Sequence, residues 1–526
     1  MSPKKLLIIG FDALCWEYMN FLIERDHLPN FQKLRRKSTF GPLKSVYPPG
    51  SYIAWPSFMT GVNPGKHSLF YPVVFKDKFD YNGFPFQTSM IKYPTLYEII
   101  SNSKKTVGVV NQPGIFPPIS VNGFFISKPP SPYSDYTSPK TLREDILSKF
   151  PNYGKPLRRD LDPHITIKNA MDMLSLNWEV SKYCFEKDDT DLKSTIFMEV
   201  DTVSHWYWDK PELIDQIYGH CDNILGEIIE KYGDSHNMVV LSDHGFGRCL
   251  SIFHPNVWLE KIGLLKWKSG ASSSSSNFIS NNLRKIARGT LKSLGLYDNY
   301  MRKSYKNKKI DKVYSELSDS IDWANTKVYF REDMGFRFNI LGREKKGIVS
   351  LTEANKVFEK LNKEILKLRD PNYFDLQPFK GLIKDEDVFS GPHISKSPDF
   401  YIDVNDNYHR GFSCKRNESI FEDNNEQPGK HTMNGIYLIQ SENIKESNLE
   451  NLDLVSLVPN ILYLLGIDGR KYFDTEINAS MYNKDFLDKT PFKISKEDFE
   501  FDREESKLSD SDRESMTKFW KEVGYI

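Results

Sequence analysis

The sequence predicts an α/β fold, a sandwich of helical layers around a mostly parallel sheet, and three observations carry that prediction. Short, uninterrupted apolar runs recur along the chain, as in strands buried on both faces. Stretches of helical periodicity separate them, which is the alternation a parallel sheet requires. At 526 residues, 39% of them hydrophobic, the chain is long enough to bury a large core and to divide into more than one folding unit.

The first apolar run is LLIIGF (6–11), which ends on Asp12. A helical pattern follows at 93–104, then a second strand, TVGVV (106–110). TIFMEV (195–200) is expected as a third strand ending on Asp201, and a long amphipathic helix spans 211–233. MVVLS (238–242) is the fourth strand and runs into Asp243 and His244. The Ser-rich stretch 269–276 has the composition of a linker. Beyond it, residues 281–312 hold ten Lys or Arg against two Asp, with Phe278, Ile279, Leu283, Ile286 and Leu294 near helical spacing. That segment reads either as a solvated helical cap or as a surface for anionic lipid or a polyanion. Core-like sequence resumes near Trp323, and residues 497–514 are acid-rich. The expected division is a catalytic core over 1–265 and 321–485, interrupted by an insert at 266–320 and followed by an acidic terminal segment, 486–526.

Composition narrows the classes. Lys plus Arg and Asp plus Glu both total 71, so net charge gives no reason to expect a specific nucleic-acid partner. Five scattered cysteines, with no C-x-x-C pair, argue against a disulfide framework and a thiolate zinc site. The apolar run at the start is too short for a signal peptide, and no stretch approaches the ~18 apolar residues of a membrane span. A soluble, cytoplasmic protein is the expectation.

The chemistry lies at the strand ends. In an open parallel sheet, ligands bind beyond the carboxyl ends of the strands, so Asp12, Asp201 and Asp243 are expected in one crevice. Taken alone, Asp243 before a glycine reads as a turn; three carboxylates together repel unless cations sit among them. Histidines fall where ligands would: His205 four residues after Asp201, His244 beside Asp243, and His431 ahead of a further apolar run. Mixed Asp/His donors suit zinc or a similar divalent ion. Six such ligands suit two ions, an arrangement adapted to phosphoryl chemistry. A nucleophile is then expected in PPGSYIAWPSFMTGVNPGKH (48–67), where Ser51 opens a helix-like run after a Pro/Gly turn. A helix start favours a bound phosphate, although a plain N-cap would look the same. Ser57, six residues on, is expected to face away from Ser51.

With these residues assembled, the chain resembles the type I phosphodiesterase/nucleotide pyrophosphatase branch of the alkaline phosphatase superfamily. The resemblance rests on IIGFDALCWEYM with LPNFQKL, the Ser51 block, EVDTVSHWYW, LSDHGFG, NILGREKKGIV, SGPHISKSPDFYI, GKHTMNGIYLI and a closing GYI, in that order. It implies an alkaline-phosphatase-like three-layer sandwich. It also implies two metal sites, with Asp201, His205 and His431 on one ion and Asp12, Asp243 and His244 on the other, together with Ser51. Two divalent ions, zinc or else manganese, are the implied cofactors, and a small phosphate ester or pyrophosphate is the implied substrate. The expected reaction is phosphodiester or pyrophosphate hydrolysis through a phosphoseryl intermediate. A phosphomonoesterase, a phosphomutase or a non-catalytic binding protein on the same core are the alternatives. Two departures stand out. The asparagine that many relatives place after the histidine-glycine pair is missing from KHSLFYPVVF, and the sulfatase signature is absent, because Ser51 is followed by YIAWP.

Overall fold

The computed structural model describes residues 4–71, 73–75, 83–129, 134–268, 319–331, 335–405, 409–412, 417, 419–423, 428–450 and 452–496. The Ser-rich linker, the basic stretch 281–312 and the acidic segment 497–514 lie outside them, as does Cys414. The expected linker and anionic-surface roles therefore fall on residues outside those described; of the expected terminal segment, 486–526, residues 486–496 are described, and the helix Lys484–Lys489 crosses its start.

The described residues build a ten-stranded sheet. Its parallel heart contains β1 (Lys5–Phe11), β2 (Val107–Gln112), β3 (Leu192–Phe197) and β4 (His236–Leu241). β1 lies between β3 and β4, and β3 lies between β1 and β2, all parallel. Almost every residue of these strands is buried. This explains why they read as unbroken apolar runs, since both faces are covered. The cover is two groups of packed helices. Pro29–Arg35, Pro163–Lys187, Glu199–Tyr207 and Pro211–Tyr232 form one; Ser51–Thr60, Leu96–Asn102 and Leu457–Leu464 form the other. The result is the alkaline-phosphatase-like three-layer sandwich.

Two element boundaries differ from expectation for local reasons. The third strand is Leu192–Phe197 rather than 195–200, because the chain turns at Met198 into a helix, Glu199–Tyr207. Glu199 and Asp201 lie in the first turn of that helix, where acidic side chains suit its positive end. The helix expected at 93–104 starts at Leu96, because Thr95 and Glu98 form a reciprocal capping box there.

A second apolar cluster, from Phe253 to Ile402, forms around an antiparallel sheet of Val328–Arg331, Gly335–Phe338, Phe379–Lys384 and Phe400–Val404. Phe336 stacks on Phe400 at 4.9 Å. This body is tied to the segment around Ser51: Tyr47 donates to the Ile402 carbonyl, and His393 N–H to the Gly65 carbonyl at 2.9 Å. The described cysteines, Cys15, Cys184, Cys221 and Cys249, are buried thiols. No helix among the described residues is long and apolar enough to cross a membrane.

Candidate active site

Every residue proposed from the sequence arrives at the carboxyl edge of the parallel heart. Asp12 leaves β1 directly, its N–H bonded to the Phe197 carbonyl at 2.8 Å. Asp243 and His244 follow β4 after one intervening residue, Ser242. That serine fastens the two turns together: Leu14 N–H donates to its Oγ at 2.9 Å, and its hydroxyl donates to the His244 carbonyl at 2.7 Å. Asp201 stands in the first turn and His205 in the last turn of α2 (Glu199–Tyr207), one helical turn apart. Asp201 is therefore a helix residue, not the strand terminus expected.

His431 comes from the far end of the chain. It lies within β6 (Gly429–Thr432), antiparallel to β5 (Gly245–Phe253), with Phe246 opposite His431. That register brings its ring to 4.1 Å from the His244 ring centroid. Ser51 opens α1 (Ser51–Thr60) behind Gly50, and the whole helix is buried.

The atoms converge. Ser51 Oγ lies 3.2 Å from Asp12 Oδ1 and 3.1 Å from His244 Nε2. His431 Nε2 lies 3.0 Å from Asp201 Oδ1 and 2.8 Å from His205 Nε2. Two of the three imidazoles are aimed by their other nitrogen: His431 Nδ1–H donates to the Pro49 carbonyl at 3.3 Å and His244 Nδ1–H to the Gly245 carbonyl at 3.0 Å. Both rings therefore present Nε2 inward, as metal-ligating histidines do. Trp55, which sequence reasoning missed, donates from Nε1 to Asp12 Oδ2 at 2.9 Å. Its position four residues after Ser51, on the same helical face, was the available signal.

Two donor groups emerge. In one, ligand atoms of Asp201, His205 and His431 lie within 4.8 Å of one another; in the other, those of Asp12, Asp201 and His244 do. Asp201 thus bridges both groups. Asp243 stands at their margin, its Oδ2 3.5 Å from His244 Nε2.

Electrostatics shows that protein atoms alone do not balance this cluster. Burial, then the charge of Asp201, pushes the Asp12 carboxyl well above the usual carboxylate range. Burial, then Asp12 and Asp201, does the same to Asp243. At Asp201, burial pushes upward but His205, His431 and His244 outweigh it and hold the group low. Burial lowers His205 to about 3, and His244 and His431 to about 4. Both Asp243 oxygens are buried without a hydrogen-bond partner, a costly arrangement for a carboxylate unless a cation completes it. The residues therefore fit divalent metal.

A buried Asp/His cluster that could hold metal, with a hydroxyl at a helix start on the edge of an α/β sandwich, fits a class of hydrolase. The chain belongs to the type I phosphodiesterase/nucleotide pyrophosphatase family, whose pattern matches residues 6–433. That membership supports phosphohydrolase activity of the phosphodiesterase/pyrophosphatase type. Among solved structures, Sinorhizobium meliloti phosphonoacetate hydrolase, in complex with phosphonoformate, shares the fold at TM-score 0.54 and 11% identity, over 88% of this chain and 95% of that one. An inactive variant of murine ectonucleotide pyrophosphatase/phosphodiesterase 5, in complex with AMP, matches at TM-score 0.48 and 12% identity over the same shares. The human counterpart matches at TM-score 0.48 and 14% identity, over 93% and 99%. No curated protein matches the chain in sequence.

Proposed function

We propose that this protein is a two-metal phosphohydrolase that cleaves phosphodiester or pyrophosphate bonds through a phosphoseryl intermediate on Ser51. The observation that carries the reading is the position of Ser51 Oγ, between Asp12 Oδ1 and His244 Nε2 at the first turn of a buried helix. Asp201, His205 and His431 would hold one divalent ion, and Asp12, Asp243 and His244 the other, with Asp201 close enough to serve both. When bound, zinc or manganese would neutralise the carboxylates and supply positive charge to the phosphate oxygens.

The chain's own residues do the rest. The Ser51 hydroxyl points its proton at Asp12 Oδ1, so an acceptor is in place as Oγ attacks phosphorus. The new Oγ–P bond forms as the bond to the leaving oxygen breaks, and the departing group takes up a proton. The positive end of α1 favours the anionic phosphoryl group. Trp55 holds Asp12 in place. Attack by water then cleaves the Oγ–P bond, regenerates the Ser51 hydroxyl and releases phosphate or a phosphate monoester.

The test pairs turnover of bis-p-nitrophenyl phosphate with that of p-nitrophenyl phosphate on protein of measured metal content, followed by acid trapping and mass spectrometry. Faster diester turnover and a phosphoryl group on Ser51 are expected. Faster monoester turnover would replace the diesterase reading, and a label elsewhere would replace the nucleophile.

A further inference from the structure

A small cleft is lined by Tyr52, the residue after Ser51, and by Thr202, the residue after Asp201. Asn111 lies in it, at the carboxyl end of β2, where the ladder to the neighbouring strand is irregular and the backbone is left-handed at φ 62°. Asparagine tolerates that conformation better than most residues. The Tyr153 hydroxyl donates to Asn111 Oδ1 at 2.6 Å, satisfying the acceptor end of the amide. The donor end is different: Asn111 is fully buried, and its Nδ2 has no hydrogen-bond partner. A buried N–H without an acceptor is costly, and bound ligand is one way to offset it.

Lys128 lines the same cleft. Its ammonium lies 3.0 Å from Glu199 Oε1, and the pair is largely buried, with side-chain exposures of 19% and 2%. Glu199 Oε1 also accepts from Asn177 at 2.9 Å and its Oε2 from Met198 N–H at 3.1 Å, so the carboxylate is held by three donors. An ammonium has three N–H donors, and Glu199 engages one. The cleft thus offers Asn111 Nδ2 and the remaining Lys128 donors to an acceptor.

We propose that Asn111 and Lys128 form an anion-binding subsite in this cleft, which takes a second anionic group joined to the phosphoryl group under attack. The proposal rests on the phosphohydrolase reading above and names its substrate class: small phosphate compounds with a further carboxylate or phosphate. The cleft is roomier than a single water requires, so a carboxylate or the end of a phosphate has space there.

The test is calorimetric binding to the metal-loaded protein at fixed free metal. Methylphosphonate, with one anionic group, is compared with methylenediphosphonate, with two. Wild type is expected to prefer the two-headed ligand by about tenfold or more, the scale of a charge-assisted hydrogen bond. Asn111→Asp keeps the left-handed backbone and the Tyr153 contact but replaces the N–H donor with negative charge. Lys128→Gln keeps a donor for Glu199 and removes the positive charge. Each is expected to cut the preference by about tenfold. A wild-type ratio near one, or a ratio that both variants retain, overturns the subsite. Equal weakening of both ligands also overturns it, since that places Asn111 and Lys128 on the phosphoryl group itself. The two readings fail separately. Turnover without the preference removes the subsite alone, whereas the preference without turnover of any phosphate ester supports the subsite and removes the hydrolytic reading.

Discussion

Ser51 and Ser57 share one buried helix, yet their hydroxyls have different tasks. Ser51→Ala removes the proposed attacking oxygen and leaves all six carboxylate and imidazole groups in place. Turnover is expected to fall by at least about three orders of magnitude, with metal content and melting temperature close to wild type. Near wild-type turnover would move the nucleophile elsewhere. Ser57 does face away from Ser51, as the spacing suggested, but into the core rather than into open space. Its hydroxyl lies 2.8 Å from both the Ile53 carbonyl and His67 Nε2, and both side chains are fully buried. Ser57→Ala is thus no neutral control. It leaves a buried imidazole nitrogen unmatched and is expected to cost about 1–3 kcal/mol in a urea melt. Such a contact was out of reach of the sequence, because it depends on where the turn after Gly61 carries His67.

At the scale of elements, α2 matters most, because one side chain on it serves both donor groups. Asp201→Ala is expected to strip nearly all bound metal, whereas Asp243→Ala, at the margin, should weaken one site and leave the other. Elemental analysis of the dialysed proteins decides; equal losses from the two variants would contradict the bridging role of Asp201. Behind Asp12, β1 has its own constraint. A Cβ on Gly10 would lie 2.6 Å from the Trp55 ring and 2.5 Å from Ile196. Gly10→Ala is expected to cost about 1–3 kcal/mol and to push Trp55 off Asp12, lowering turnover more than a surface substitution would. The strands, and the gathering of the proposed ligands at one edge, were legible in the sequence, since apolar runs ending on Asp mark a parallel sheet and its carboxyl edge. The role of Asp201 was only half legible. Its spacing to His205 gave the shared face, but the run TIFMEV hid the turn at Met198 and made a helix residue look like a strand end. Asn111 and Lys128 left no signal at all. Seventeen positions separate them, and only strand register and a left-handed turn bring them to one cleft.

For the molecule as a whole, acid sensitivity follows from histidines kept neutral by burial, of which His67 lies outside the proposed ligand set. Burial lowers it to about 3, against about 6.5 in an unfolded chain. The unfolded state therefore takes up a proton first as pH falls. The contribution of His67 is fully present above about pH 6.5 and is lost as pH drops toward 3, at up to about 1.4 kcal/mol per unit. His67→Gln is expected to flatten the pH dependence of stability, narrowing the wild-type difference between pH 7 and pH 5 by about 2 kcal/mol. Parallel urea-melt profiles for the two proteins would show that His67 titrates normally in the fold. The position of His431 on a late strand has a consequence for biosynthesis. Asp12, Ser51, Asp201, His205, Asp243 and His244 all leave the ribosome while the residue that completes their cluster is still unmade. At roughly 5–20 residues per second, a nascent chain spends on the order of ten to forty seconds between His244 and His431. Throughout that interval it holds crowded carboxylates that no late strand has yet enclosed. Under the proposed ligand set, the group of Asp201, His205 and His431 could close on an ion only after β6 is made, whereas Asp12, Asp201 and His244 are all present before it, so a chain truncated before β6 is expected to keep one donor group and lack the other.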